Sequence, residues 1–179
     1  MNRATKNWIT AAVLCILPAI AQADIFMLVQ GVAGDVTSRG HENWIRVSSL
    51  SWETDADTSY TLVGANVDKP NAGEIRLVLP TGVWSQHFAR LITQLKSLPS
   101  VVFDAVASDG RPLYRMTVEG FFVRKYRLVS LPANPLPEDH VNGVFKKVKV
   151  EYYAVSATGV VTSTFVEWDI VSGKSLPVL

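Results

Sequence analysis

Residues 34–52, GDVTSRGHENWIRVSSLSW, gather the side chains of a reactive centre. Asp35, Ser38 and His41 supply an acid, a hydroxyl and an imidazole, which hydrolyse esters and amides when held within hydrogen-bond reach of one another. Their closeness in sequence argues against that chemistry. Hydrolytic triads are assembled from separate elements, and no GxSxG elbow surrounds Ser38. The segment reads better as a turn in which Asp35, Thr37 and Ser38 bond their own backbone while Gly31, Gly34 and Gly40 supply conformational freedom.

Metal chemistry finds no better support. His41 and Glu42 are neighbours that point apart on an extended chain, and His87 and His140 stand in unrelated segments. The acids Glu53, Asp55, Asp57 and Asp68 lack a glycine-pivoted calcium loop ending in Glu, so they read as a solvated acidic stretch. No catalytic, cofactor-binding or metal-ligating residue is assigned, and no cofactor is expected. The runs FFVRKYR (121–127) and FKKVK (145–149) interleave aromatic and basic residues as a single-strand nucleic-acid platform would. Alternation, however, makes the same lysines an ordinary solvated strand face. The whole chain carries a formal charge of +1, and residues 24–179, without Arg3 and Lys6, carry −1. That balance gives no electrostatic reason to expect nucleic acid or anionic lipid.

Arg3 and Lys6 precede an almost wholly apolar run from Ile9 to Ile20, the outline of a signal peptide over residues 1–23. Ala21-Gln22-Ala23 presents small residues where a signal peptidase reads them, so cleavage after Ala23 is expected to leave a chain beginning at Asp24. The apolar run is too short for a membrane span, and Leu14 before Cys15 is not the small residue that lipid attachment requires. Cys15 is the only cysteine, so residues 24–179 hold no disulfide; they form one domain large enough for its own core. The protein is expected to be exported, to the periplasm or beyond.

The elements that position these residues are mostly strands. Asp24 to Gln30 is apolar on both parities, as in a strand covered on both faces. Trp44 to Trp52 changes phase at Ser48-Ser49, where a bulge is expected. Glu53 to Gly73 is polar and reads as a long loop. Glu74 to Leu79 alternates cleanly, and Trp84, Phe88, Leu91, Ile92 and Leu95 make an apolar stripe on a helix from Val83 to about Leu98, with Thr81 as cap and Pro99 as stop. Strands follow over 101–107, 114–122 with Met116, Val118 and Phe122 on one face, and 123–131. Prolines make 132–137 irregular. The last two strands are 144–154, with Val148, Val150 and Tyr152 inward, and 160–170, with Val160, Val166, Trp168 and Ile170 inward. This is a mainly β (α+β) domain, an antiparallel β-barrel of two packed sheets with one amphipathic helix.

With that order in hand, the chain resembles the Hcp family, the haemolysin-coregulated tube proteins of the bacterial type VI secretion system. The opening strand IFMLVQG runs through a glycine-bearing turn into GHENWIRVSSLSW, similar to the family's Gly-His-x-x-Trp-Ile and later Trp, here Gly40, His41, Trp44, Ile45 and Trp52. The closing FKKVKVEYYAVSATGVVTSTFVEWDI is similar to the family's final strands at Phe145, Val148, Val150, Tyr152, Gly159, Trp168 and Asp169. The resemblance implies structural or interface roles for these residues. It also implies a non-enzymatic subunit that forms homohexameric rings, which stack into a tube and carry or shelter effector proteins alongside other parts of the secretion apparatus. The signal peptide departs from the tube-forming members, which are assembled without one. The alternative is an exported periplasmic binding module that keeps the barrel and forms no tube.

Overall fold

A computed structural model describes residues 23–56, 58–61, 64–67, 71–130 and 136–176, with the backbone alone at 58–61 and 64–67. The signal-peptide expectation lies outside these residues except at Ala23, which is exposed, and most of the proline-bearing stretch 132–137 lies outside them too. Six strands precede the helix: β1 (Asp24–Val29), β2 (Ile45–Val47), β3 (Ser49–Trp52), β4 (Thr58–Thr61), β5 (Gly64–Val67) and β6 (Ile75–Pro80). After α1 (Ser85–Gln94) come β7 (Ser97–Val106), β8 (Pro112–Val129), β9 (Glu138–Val144), β10 (Lys147–Val155), β11 (Val161–Asp169) and β12 (Lys174–Leu176).

All strand pairings are antiparallel. Ten strands form one sheet in the order β12-β11-β10-β8-β7-β1-β2, with β9, β6 and β3 continuing from β8 in a second layer. β8 serves both layers because it is long: Tyr114 to Glu119 pair with β10, and Phe122 to Val129 pair with β9. The ladder is not closed. It stops at β2 and β3, and the chain spans the gap at Ser48, whose N–H donates to the Val78 carbonyl at 2.8 Å. Here the phase change read from the sequence is a corner at which one strand leaves the first layer for the second. Among the described residues the architecture is mainly antiparallel β with one helix, and its two layers are one folded, open sheet rather than two separate ones.

The core between the layers comes from alternating positions, among them Met27, Ile45, Leu77, Phe103, Val118, Phe121 and Val141, each essentially removed from water. β1 is apolar on both faces, and both are covered except at Leu28, which is 38% exposed. Met27 and Val29 enter the core, while Phe26 lies under the loop before β2. α1 contributes Trp84 and Phe88 to the core and packs against β8.

Several expectations need correction. The helix ends at Gln94 rather than near Leu98, because Leu95 turns left-handed (φ 52°) and its N–H and that of Lys96 return to the carbonyls of Ile92 and Leu91. Leu95 therefore leaves the apolar stripe and is 77% exposed, and Pro99 lies inside β7 rather than ending the helix. Thr81 does not cap the helix; its hydroxyl donates to Asp139 at 3.3 Å. The loop from Glu53 to Gly73 contains the β4–β5 hairpin, which is legible only as backbone pairing. Gly120 takes a positive φ (64°), and past it the buried parity of β8 switches, so that Phe121 rather than Phe122 enters the core. Tyr152 and Val166 keep the inward parity yet are exposed, as is Val160 just before β11, whereas Trp168 and Ile170 pack against the core.

β9 was not legible in the sequence. Its inward positions are Asp139, Val141 and Gly143, so an acid and a glycine hide the alternation. Gly143 is there for space. A Cβ at 143 would lie 2.4 Å from Phe121 Cζ and 2.9 Å from the Phe122 carbonyl oxygen. Gly143→Ala is therefore expected to cost about 1.5 kcal/mol through overpacking, read as a lowered denaturant midpoint with an unchanged slope.

Candidate functional site

His41 is the residue on which the reactive reading turned, and the fold carries its ring away from Asp35 and Ser38. Only its backbone meets that turn, the His41 N–H donating to the Ser38 carbonyl at 3.0 Å. Gly40 (φ 86°) turns the chain, and its N–H donates to Glu42 Oε2 at 2.9 Å. The loop then closes on itself: Gly34 N–H bonds to the Asn43 carbonyl, Asn43 N–H to Val36, and Val36 N–H to Trp44, at 2.7, 2.8 and 3.1 Å. This lays His41 over β1, stacked on Phe26 at 4.5 Å between centroids, with Trp44 edge-on at 4.9 Å.

The partner of the imidazole is Asp104, on β7, whose Oδ2 lies 3.1 Å from His41 Nε2. Arg115 on β8, directly opposite Asp104 in the ladder, grips the same carboxylate with both arms of its guanidinium, Nε to Oδ1 and Nη2 to Oδ2, each 2.6 Å. Burial acts to raise the Asp104 pKa, but hydrogen bonds from Arg115 and His41, with their charges, outweigh it and hold the carboxyl below its ordinary value. The Arg115 guanidinium is held protonated more firmly still, chiefly by its hydrogen bonds to Asp104. An ionised carboxylate only accepts, so the His41 Nε2 carries the proton that it donates.

A cavity of about 310 Å³ opens beside this triplet, bounded by Gly40, Val106, Gly110, Pro112, Tyr114 and Tyr153 as well. An Asp–His pair beside a cavity is half of a hydrolytic relay. The lining offers no Ser, Thr or Cys to act as nucleophile, and Asp104 is occupied by Arg115. What the arrangement does is mechanical: it pins the loop from 33 to 44 to β7 and β8 through one buried carboxylate. Among the described residues no group of three His, Cys, Asp or Glu side chains could hold a metal ion.

The other motif residues lie elsewhere. Ile45 is in the core. Trp52 donates through Nε1 to the Ala72 carbonyl at 2.7 Å and meets Phe145 edge-on at 5.9 Å, fixing the root of the β4–β5 hairpin to the core. Trp168 lies opposite Val148. Asp169 Oδ1 accepts the Ser172 N–H at 3.0 Å, and that turn is the first cause of its lowered pKa. Tyr152 stands exposed, and Asp24 pairs with Arg46 at 2.7 Å. The two motifs meet where Trp52 packs on Phe145, while His41 and Trp44 of the first clamp a loop on the outside of β1.

A second buried acid was missed altogether. Asp139 on β9 is fully buried and accepts hydrogen bonds from Tyr126 at 2.9 Å, from Thr81 and from Ser85 at the start of α1. Burial, then the bond to Asp139, pushes the Tyr126 phenol up to about 12. Asp104 had a sequence signal, a lone charge inside the apolar run VVFDAV; Asp139, in a stretch without periodicity, had none.

Fold and polar clusters together define the class: among the described residues, an open antiparallel β-domain with one helix, in which two buried acids tie a loop and the layers together. A family model described as type VI secretion system effector, Hcp, matches residues 26–152, and the chain belongs to that family. Its fold is similar to that of a type six secretion system protein of known structure, at a TM-score of 0.80 and 17% identity, covering 87% of this chain and 100% of the other. Hcp1 from Salmonella typhimurium aligns at a TM-score of 0.68 and 17% identity, covering 88% and 100%. A type VI secretion system effector from Yersinia pestis aligns at 0.63 and 16%, covering 82% and 100%. None of the curated proteins matches the chain in sequence. No helix among the described residues is long and apolar enough to cross a membrane.

Proposed function

We propose that this chain is a non-enzymatic tube subunit of the type VI secretion apparatus, self-associating into hexameric rings that stack and carry or shelter effector proteins. Family membership supports the apparatus, and one observation supports self-association. The first layer has seven strands and the second has four, counting β8 in both, so the first outruns its cover beyond β10. Where the cover ends, the inner side of the sheet stays apolar but meets solvent: Val166 is 41% exposed and Tyr152 54%. The outer side of the same hairpin carries Val161 and Phe165, also exposed, with Lys149 Nζ 4.8 Å over the Phe165 ring. An apolar strand open on both sides is costly in a lone subunit and suits one whose neighbour completes it.

The purified protein is expected to elute at the mass of a hexamer and to show rings in negative stain, and Val166→Asp is expected to dissociate it. A strictly monomeric particle at high concentration sinks this reading. It would favour the alternative, a binding module that keeps the fold without assembling. Export belongs to the same proposal: N-terminal sequencing of protein from fractionated cells is expected to begin at Asp24.

A further inference from the structure

The outward side of the second layer carries a charge pattern that the loop clamp and the apolar arm do not use. Antiparallel register places Ser51, Arg76, Asn142 and Lys125 in one row across β3, β6, β9 and β8, and Ser49, Val78, His140 and Arg127 in the next. Together they line a groove of about 350 Å³. Arg76 has Glu53 at 3.6 Å, an exposed pair, and His140 has Glu138 at 3.7 Å, a half-buried one, both long. Lys125 and Arg127 make no ion pair among the described residues, in a protein that carries nearly equal numbers of acids and bases.

We propose that this groove binds an extended acidic peptide segment of a partner protein. Lys125 and Arg127 are two residues apart on one strand face, so their attachment points repeat every ~7 Å, the spacing of alternate side chains on any extended chain. A peptide lying along β8 with carboxylates at alternate positions matches that period and meets one cation at each. Arg76 and His140 then face the same segment from the neighbouring strands, and Ser49 and Ser51 offer hydrogen bonds to its backbone, while the Asn142 amide already donates to Glu74 at 3.3 Å. A nucleic-acid strand also repeats its charge at a similar interval, but proteins that hold one supply aromatic rings on which bases stack. The groove lining contains no Phe, Tyr or Trp. The proposal does not depend on ring formation.

The test is fluorescence anisotropy on the full chain with a labelled peptide of alternating Glu and Ser, alongside an alternating Lys-Ser peptide and an oligothymidylate of equal length. The acidic peptide is expected to bind saturably and more weakly as salt rises. Lys125→Ala/Arg127→Ala is expected to weaken it about tenfold, with the melting temperature unchanged because both side chains are exposed. Lys125→Ala alone gives a smaller loss and guards against misfolding of the pair. Absence of binding, equal binding by the double variant, or preference for the oligothymidylate overturns the proposal. So does a change in oligomeric mass on Lys125→Glu, which would make the groove a contact between copies of this chain.

Discussion

Asp139→Ala is expected to lower the unfolding free energy by about 3 kcal/mol, the largest loss from any single polar side chain of this domain. Among the described residues Asp139 has no basic partner; its carboxyl accepts hydroxyls from three elements, Tyr126 on β8, Thr81 after β6 and Ser85 at the start of α1. Truncation leaves these three hydroxyl donors facing a void, each without its buried acceptor. Removing a buried polar group also recovers its desolvation free energy, which limits the loss. Because Ser85 also accepts the Gly82 N–H at 2.9 Å, the loss should spread to the helix entry. Chemical denaturation measures the total, and hydrogen exchange should show α1 amides losing protection before those of β7. Asp139→Asn keeps shape and one acceptor and should cost about half. Equal stability of the Ala variant and the parent would mean the cluster is incidental.

Asp104→Ala is expected to cost about 2 kcal/mol at neutral pH, less than a fully buried pair because the Arg115 side chain is 45% exposed and can turn to water. The pH dependence is the sharper test. The folded state holds the Asp104 pKa below the ordinary 3.8, so its contribution is complete above that value and is lost as pH falls from 3.8 through the lower folded value. The acid limb of the stability curve should therefore flatten in the variant relative to the parent, with the two curves converging at the lowest pH. If they stay parallel throughout that window, the carboxylate is not what holds the loop. In the parent the aromatic contacts of His41 with Phe26 and Trp44 should report the same event, as a change in Trp44 fluorescence over that pH range.

Local pattern carried much of this protein. The doubly apolar stretch that became β1, the alternation of β6 and the first half of β10, the phase change at Ser48-Ser49, the apolar stripe of α1 and the ordered motifs around His41 and Phe145 are properties of neighbours in sequence. Side-chain period and turn chemistry act over a few residues, so a reader of the chain sees them directly. The order of those pieces also carried the family.

What the tertiary structure alone decided is partnership and cover. Asp104 stands 63 residues from His41, and only the β1–β7 ladder brings it beneath the ring. Asp139 and Gly143 sit on inward positions that no apolar pattern marks, because a buried acid answered by hydroxyls and a glycine that yields to Phe121 are tolerated for reasons supplied by other strands. Tyr152 and Val166 continue a core-facing parity and yet are exposed, since exposure depends on how many strands the opposite layer has and not on the strand's own sequence. Periodicity fixes which way a side chain points; the width of the facing layer fixes whether anything is there to meet it.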